Sequence, residues 1–105
     1  EARRTISPLA LEKAEIVDRR VRQISIRDQR SRWGSCAANG RLSFSWRLIL
    51  APETVLDYVV AHEVAHLVEM NHSQDFWRVV DRLTPHARSS KRWLNANGQS
   101  LHRYG

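Results

Sequence analysis

The run from about Pro52 to Met70 constrains this chain most, because it is apolar on nearly every side and yet contains a His-Glu-Val-Ala-His segment. A helix that is apolar all round is buried, so we expect it to be the central element of the fold. Pro52 suits the first helical position, and Glu53 lies favourably at the positive end of the helix dipole. The sequence therefore predicts a core helix that must accommodate two histidines and a glutamate.

The spacing of those three residues indicates a metal site. His62 and His66 are four residues apart, so on a helix they lie on one face with Cβ atoms about 5–6 Å apart. That separation lets two imidazole nitrogens bind one Zn²⁺ at about 2.0–2.1 Å. Glu63 is turned by about 100° from His62 and lies beside the metal, where it can act as the base for a metal-bound water. The pattern predicts a catalytic zinc rather than two surface histidines.

A catalytic zinc needs a third protein ligand and an open fourth position. A later glutamate on a second helix is excluded, because Asp81 is the last acidic residue of the chain. The metzincin pattern matches histidines at 62, 66 and 72, but it requires Gly where Glu69 stands and a later Met turn, whereas Met70 is the only methionine. His72 remains the best third ligand. Asn71 tolerates the left-handed backbone with which the chain would leave the helix axis.

Length and composition limit the kind of protein that contains this site. A chain of 105 residues supports one compact domain, so we expect a single domain over residues 1–105, with a fragment lacking upstream residues as the open alternative because Glu1 is not Met. No apolar run reaches the roughly 20 residues of a membrane span. The single Cys36 cannot form an internal disulfide, which fits a reducing compartment. We expect a cytoplasmic monomer without membrane contact.

The charge of the chain is strongly basic, with 17 Lys+Arg against 11 Asp+Glu and a net charge of +6. Such a surface can attract nucleic acid or acidic partners. Because no nucleic-acid motif accompanies the charge, we favour a solvated arginine-rich surface and expect a peptide or protein substrate as the partner. The basic residues crowd the first third and the tail: Arg3, Arg4, Arg19, Arg20, Arg22, Arg27, Arg30, Arg32, Arg88, Lys91, Arg92 and Arg103.

The first half of the chain predicts one helix and three strands. Ser7-Pro8 predicts an N-cap and first helical residue of a helix that runs to about Arg20. Alternating residues predict a strand at 22–27, and a short strand is expected within 31–36. Asn39-Gly40 predicts a tight turn before a strand at 41–46, whose apolar residues should share one face. Together these segments predict a three-stranded meander.

The second half predicts two helices after the central one. Ser73 is a plausible N-cap for a helix that ends at Thr84-Pro85. Ser89 or Ser90 could begin a last helix, with Gly98 beyond its end.

Several motifs occur together in one order and carry a resemblance. They are Arg32-Trp33-Gly34-Ser35-Cys36, Trp46-Arg47-Leu48, Leu56-Asp57-Tyr58-Val59-Val60, His62-Glu63-Val64-Ala65-His66-Leu67, Asn71-His72-Ser73 with Phe76-Trp77, and Arg92-Trp93-Leu94. Over about residues 20 to 95 the chain resembles the YgjP-like zinc metallopeptidases, HExxH zincins related to the SprT and WLM families. It departs from their pattern at Ser45, Val64 and His86, where Asn, Leu and Tyr are usual.

The resemblance implies both a fold and a site. The fold would be a minimal zincin of the α+β class, a small antiparallel or mixed sheet packed on a central active-site helix with flanking helices. The site would consist of His62, His66 and His72 as ligands of Zn²⁺ and Glu63 as the general base. Zinc would polarise the scissile carbonyl and lower the pKa of its bound water towards about 7, and Glu63 would pass the water proton to the leaving amine.

Two alternatives to this function remain open at the level of the sequence. One is a nucleic-acid-associated protease of the SprT type, and the other is a non-catalytic domain whose metal is structural and closed by four protein ligands. In the favoured interpretation, an extended substrate pairs with the edge of the strand at 41–46 or of the segment 33–36.

Individual side chains near the site have simpler predicted roles. The tryptophans Trp33, Trp46 and Trp77 are interpreted as core or cleft wall, and Cys36 as a small packing residue. The candidates for stabilising an oxyanion are Tyr58, His86, His102 and Tyr104.

Overall fold

The computed structural model describes residues 2–28 and 32–97, which form four α-helices and one three-stranded sheet. The elements are α1 (Ala2–Ile16), β1 (Gln23–Arg27), β2 (Gly34–Cys36), β3 (Arg41–Ser45), a 3₁₀ helix (Trp46–Leu50), α2 (Glu53–Ala65), α3 (Gln74–Leu83) and α4 (Ala87–Asn97). The fold is α+β with a small mixed sheet, as the sequence predicted. No helix within the described residues is long and apolar enough to cross a membrane.

Helix α2 is the central element, which confirms the prediction from its apolar surface. Helices α1, α3 and α4 and strand β2 all pack against it, and every residue from Tyr58 to Ala65 is buried. The helix ends at Ala65, earlier than the predicted Met70. The amides of Leu67 and Val68 donate to the carbonyls of Val64 and Ala65 at 2.9 and 3.0 Å, so the backbone tightens into a turn that redirects the chain.

The sheet has β3 in the middle, with the order β1-β3-β2. Strands β2 and β3 are antiparallel, and the turn between them has Gly40 at φ +89°, as predicted from Asn39-Gly40. The predicted meander is wrong, because β1 pairs with β3 in parallel. The register of the β1–β3 pair places Ile24 opposite Leu42 and Ile26 opposite Phe44, which keeps these apolar side chains on one face of the sheet.

Three predicted boundaries in the first half of the chain are wrong: the start of α1, its end, which lies at Ile16 instead of about Arg20, and the end of β3. Helix α1 begins at Ala2 and contains Pro8 inside it, so Ser7 is not its N-cap. The helix keeps its proline because Ile6, Ala10 and Ala14 bury one face of it in the core, and this packing outweighs the preference of proline for the first turn of a helix.

Trp46 does not share the face of β3, since the 3₁₀ helix starts there and leaves its side chain 38% exposed.

The predictions for the last two helices are met more closely. The Ser73 hydroxyl accepts from the amide of Phe76 at 3.3 Å and caps α3, which ends at Leu83 before Thr84-Pro85. Helix α4 begins at Ala87, two residues before the predicted start. Gly98 lies outside the described residues.

A buried lysine connects three helices below the sheet. Lys13 of α1 is 5% exposed, and its Nζ donates to the carbonyl of Leu83 at 2.7 Å and pairs with Asp57 Oδ1 of α2 at 2.9 Å. The hydroxyl of Thr84 donates to the other oxygen of Asp57 at 2.5 Å. This network holds α1 and the end of α3 against α2, five residues before the first of the paired histidines.

We expect Lys13→Met to lower the free energy of unfolding by about 2–3 kcal/mol, because it leaves a carboxylate and a carbonyl without their shared donor. Urea denaturation of the metal-free protein measures this. Arg82→Met is the matched control, since Arg82 also connects α3 to α1, through the carbonyl of Ile16 at 3.2 Å, but on the exposed surface. Equal losses in the two variants would contradict a special role for the buried network.

Candidate active site and metal centre

The end of α2 and the turn after it bring the three predicted ligands together. His62 lies on α2, His66 follows its last residue, and His72 lies just before α3. Their ligand nitrogens all lie within 4.8 Å of one another, and the Nε2 atoms of His62 and His72 are 3.2 Å apart. Asn71 does not use the left-handed backbone, because Asp18 is the only non-glycine residue with positive φ in the described part of the chain. The turn at 66–68 redirects the chain instead.

The outer nitrogens of the two helical histidines have partners of their own. Nδ1 of His66 lies 3.0 Å from the carbonyl oxygen of Glu69, so in the neutral ring it donates there and leaves Nε2 as the ligand atom. Nδ1 of His62 lies 3.4 Å from the hydroxyl of Tyr58, one helical turn earlier. Metal-binding histidines in proteins typically donate their second ring N–H in this way, which fixes the tautomer and the ring orientation.

Two aromatic side chains of α3 form a wall against the histidines. The ring of Phe76 is centred 4.5 Å from that of His66 and 4.9 Å from those of His62 and His72. The indole of Trp77 stacks on His72 with centroids 6.0 Å apart. This placement follows from the Ser73 cap, which starts α3 directly after His72. The prediction of core or cleft wall agrees with the buried Trp33 and with Trp77, which packs on the histidines, but not with Trp46, which is exposed.

The carboxyl group of Glu63 is buried without a hydrogen-bond partner on either oxygen. Burial raises its pKa well above the ordinary value of 4.5, and the positive charge of Arg32 opposes this only in part. Strand β2 comes very close at Gly34, where a Cβ atom would lie 3.0 Å from Glu63 Cγ and 3.2 Å from the Ser43 carbonyl oxygen. A larger residue at this position would push the Glu63 side chain, the Phe44 ring or the strand itself aside by a few tenths of an ångström, so glycine allows the close packing of β2 on Glu63.

These residues fit a divalent metal. Three imidazoles are a donor set that zinc accepts, and the buried carboxyl of Glu63, one residue after His62, has no hydrogen-bond partner within the part of the protein that the structure describes. Within residues 2–28 and 32–97 the three histidines are the one cluster of this kind. Cys36 is not part of it. Burial and the charge of Glu63 raise the pKa of its thiol to about 12, which keeps it neutral and favours a packing role.

Comparison with known proteins identifies the family. The sequence profile of the YgjP-like metallopeptidase domain matches residues 1–97. The chain belongs to this family. It is therefore a peptidase, a hydrolase of peptide or protein substrates, and its three clustered histidines could hold the metal of the family.

A solved structure shares the fold of this peptidase. It is the crystal structure of the metallopeptidase zymogen abylysin of Pyrococcus abyssi, with a TM-score of 0.76 and 20% sequence identity over 91% of this chain and 98% of that chain. A search of curated protein sequences gives no match.

The four side chains considered as stabilisers of an oxyanion lie in different parts of the chain. Tyr58 is fully buried and lies at Nδ1 of His62, away from the side that faces His72. His86 lines a separate cavity of about 380 Å³ with Glu53 and Asp57. His102 and Tyr104 lie outside the described residues. The role of Tyr58 as a partner of His62 was not predicted, although its position four residues before His62 on the same helix face would have indicated it.

We expect Tyr58→Phe to weaken metal binding by about ten-fold, because His62 loses the group that orients its ring. Chelator competition measures the affinity. The melting temperature of the metal-free variant serves as the control, and it should fall by only a few degrees, since the aromatic ring is kept. A variant with wild-type metal affinity would show that the 3.4 Å contact does not orient the ligand.

We also expect the metal-free peptidase to lose stability as the pH rises. The folded pKa of Glu63 is raised above its unfolded value of 4.5, so the folded state holds the proton more tightly. That contribution is complete below pH 4.5 and is lost as the pH rises through the folded pKa. Glu63→Gln removes this dependence and should be more stable than the wild type at pH 8. Urea denaturation across pH measures it, with the exposed Glu12→Gln as the control, and identical pH profiles would contradict the buried carboxyl.

Proposed function

We propose that this metallopeptidase uses Zn²⁺ held by His62, His66 and His72, with Glu63 as the general base. The observation that carries the proposal is the cluster of three imidazoles, together with the buried carboxyl of Glu63, which has no hydrogen-bond partner among the described residues and follows His62 directly on α2. When bound, Zn²⁺ would supply a Lewis acid that polarises the scissile carbonyl and acidifies the attacking water. Three protein ligands leave the open position that catalytic zinc sites keep.

The environment of Glu63 suits proton transfer. A carboxylate whose pKa is raised by burial is a stronger base than an exposed one, so it can take the proton of the attacking water and hold it for the leaving amine. Strand β2 passes close to the Glu63 side chain at Gly34, and the residues around Glu63 on α2 are buried, so the side chain has little room to change its orientation. The residue is therefore positioned before a substrate arrives.

The sheet offers one of the two predicted edges for substrate binding. Strand β3 is the middle strand, with β1 and β2 on either side, so its edge is not available, and the alternative that used it is wrong. Strand β2 pairs with β3 alone among the described strands, and its Gly34 touches Glu63. An extended peptide that adds to the outer edge of β2 would therefore pass close to the proposed base.

The alternatives have less support. A structural metal would need a fourth protein ligand, and in the described residues the cluster contains three histidines and no further His, Cys, Asp or Glu. A SprT-type role on nucleic acid rests on the net charge of +6 alone. The single domain over residues 1–105, the monomeric state and the cytoplasmic location stay predictions.

We expect one zinc per chain in the wild type and in Glu63→Gln, and a loss of zinc in His72→Ala. Glu63→Gln should reduce peptide hydrolysis by about 10²–10⁴-fold, because a carboxamide of the same size cannot accept the water proton. Elemental analysis and a fluorogenic peptide assay measure the two effects. His86→Ala is the matched control, since it removes a histidine that lies in a separate cavity, and it should keep both metal and activity.

Two results would reject the proposal. Turnover by Glu63→Gln comparable to that of the wild type would exclude the carboxylate as the base. Undiminished zinc affinity in His72→Ala would exclude the third ligand.

A further inference from the structure

A groove of about 380 Å³ runs between α3 and α4 and begins at the aromatic wall of the metal centre. Trp77 and Asp81 line it on α3, and Arg88, Lys91, Arg92 and Asn95 line it on α4. None of these residues is used in the proposed mechanism except Trp77, which forms the wall. The groove is thus a separate surface that meets the site at one shared side chain.

The orientation of α4 is fixed by the residues that it buries. Ser90 and Leu94 are buried, and the hydroxyl of Ser90 donates to the carbonyl of Thr54 on α2 at 3.1 Å. Trp93 packs against Trp33 with ring centroids 6.3 Å apart. The basic residues at 88, 91 and 92 and Asn95 recur at helical spacing, so they share the face that is turned to the groove.

The groove is positively charged. Three basic side chains face one carboxylate, Asp81, and within the described residues no acidic group forms an ion pair with Arg88, Lys91 or Arg92. Lys91 is half-buried, and its Nζ lies 3.6 Å from the centre of the Trp77 ring. A cation over an indole keeps its charge available to a ligand while its position is held.

One indole therefore separates this charge from the metal centre. The ring centre of Trp77 lies 3.6 Å from Nζ of Lys91. It lies 6.0 Å from the ring centre of His72 and 5.7 Å from that of His62. An extended peptide advances by about 3.3 Å per residue. A substrate side chain two or three residues from the bond that is cut would reach the groove.

We propose that this groove is a specificity subsite that selects substrates with an acidic side chain near the scissile bond, through Arg88, Lys91 and Arg92. The inference rests on the proposed function, since it assumes that the bond is cut at the histidine cluster. Charge complementarity supports an acidic peptide as the ligand. Nucleic acid is less suited, because single strands bind by stacking bases on free aromatic rings, and the one aromatic ring that lines the groove already contacts Lys91 and His72.

The test measures binding apart from cleavage. Zinc-loaded Glu63→Gln, which should bind peptides without hydrolysing them, is titrated by calorimetry with two peptides of equal length that differ only by three Glu in place of three Gln. The Glu peptide should bind more tightly, and its advantage should shrink with added salt. Adding Arg88→Gln or Lys91→Gln should weaken the Glu peptide by about two- to five-fold each and leave the Gln peptide unchanged.

Arg20→Gln is the matched control. It removes the same charge from an exposed residue beside the Gly40 turn, at the far end of the sheet, and should change neither affinity. Lys91→Arg should keep the preference for the acidic peptide, because it keeps the charge. In the active enzyme the same substitutions in the groove should raise KM for the Glu peptide and leave kcat nearly unchanged.

Three outcomes would overturn the inference. The two peptides could bind equally, the control could weaken the Glu peptide as much as the groove variants do, or the groove variants could lose affinity for a single-stranded DNA oligonucleotide and not for the acidic peptide. The titrations report binding as long as Glu63→Gln does not cut the peptides. If Glu63→Gln retained full turnover, the proposed mechanism would fail, and the KM values of the active enzyme would test the groove instead: an unchanged KM for the Glu peptide in Arg88→Gln and Lys91→Gln would overturn the inference.

Discussion

The structure depends on the burial of one carboxyl group and two imidazoles on α2 and at its C-cap, in a helix that also forms the centre of the hydrophobic core. Glu63 is fully buried and His62 nearly so, although burial disfavours the ionised form of the Glu63 carboxyl. A carboxyl without a partner destabilises the metal-free fold, and the surrounding apolar contacts of α2 must offset that cost. This cost is confined to one turn of helix, as is common at functional sites, and the water of the proposed metal site would supply the hydrogen bond that the carboxyl lacks among the described residues.

Backbone features at the end of α2 bring His72 and Phe76 against the two histidines of the helix end. The helix stops at Ala65, and the turn that follows carries the chain back so that His72 faces His62. The Ser73 cap then starts α3 at once, which places Phe76 against all three imidazoles. Both the turn and the cap are made by hydrogen bonds between residues close in sequence, so the short segment from Ala65 to Phe76 determines the geometry of the site.

This locality explains which features could be predicted from the sequence. The buried α2, the histidine cluster and the Ser73 cap follow from spacing and residue type within a few helical turns, and the structure shows all three. The parallel pairing of β1 with β3 could not be predicted, because alternation of apolar residues fixes a face but not the direction of a partner strand. The start of α1 was also missed, since the packing that tolerates Pro8 is tertiary.

The proposed chemistry and the proposed substrate choice lie on different elements of this fold. The proposed metal ligands and base lie on α2 and in the residues that follow it, whereas the charged face of the groove belongs to α4, which packs on α2 and buries Ser90 and Leu94 rather than its basic residues. Trp77 is the one side chain that touches both the histidines and Lys91. Substitutions on the groove face of α4 can therefore change which peptide is held without moving a ligand, while a change at Trp77 would disturb both. The charge of this face is then a property that can vary independently of the catalytic centre.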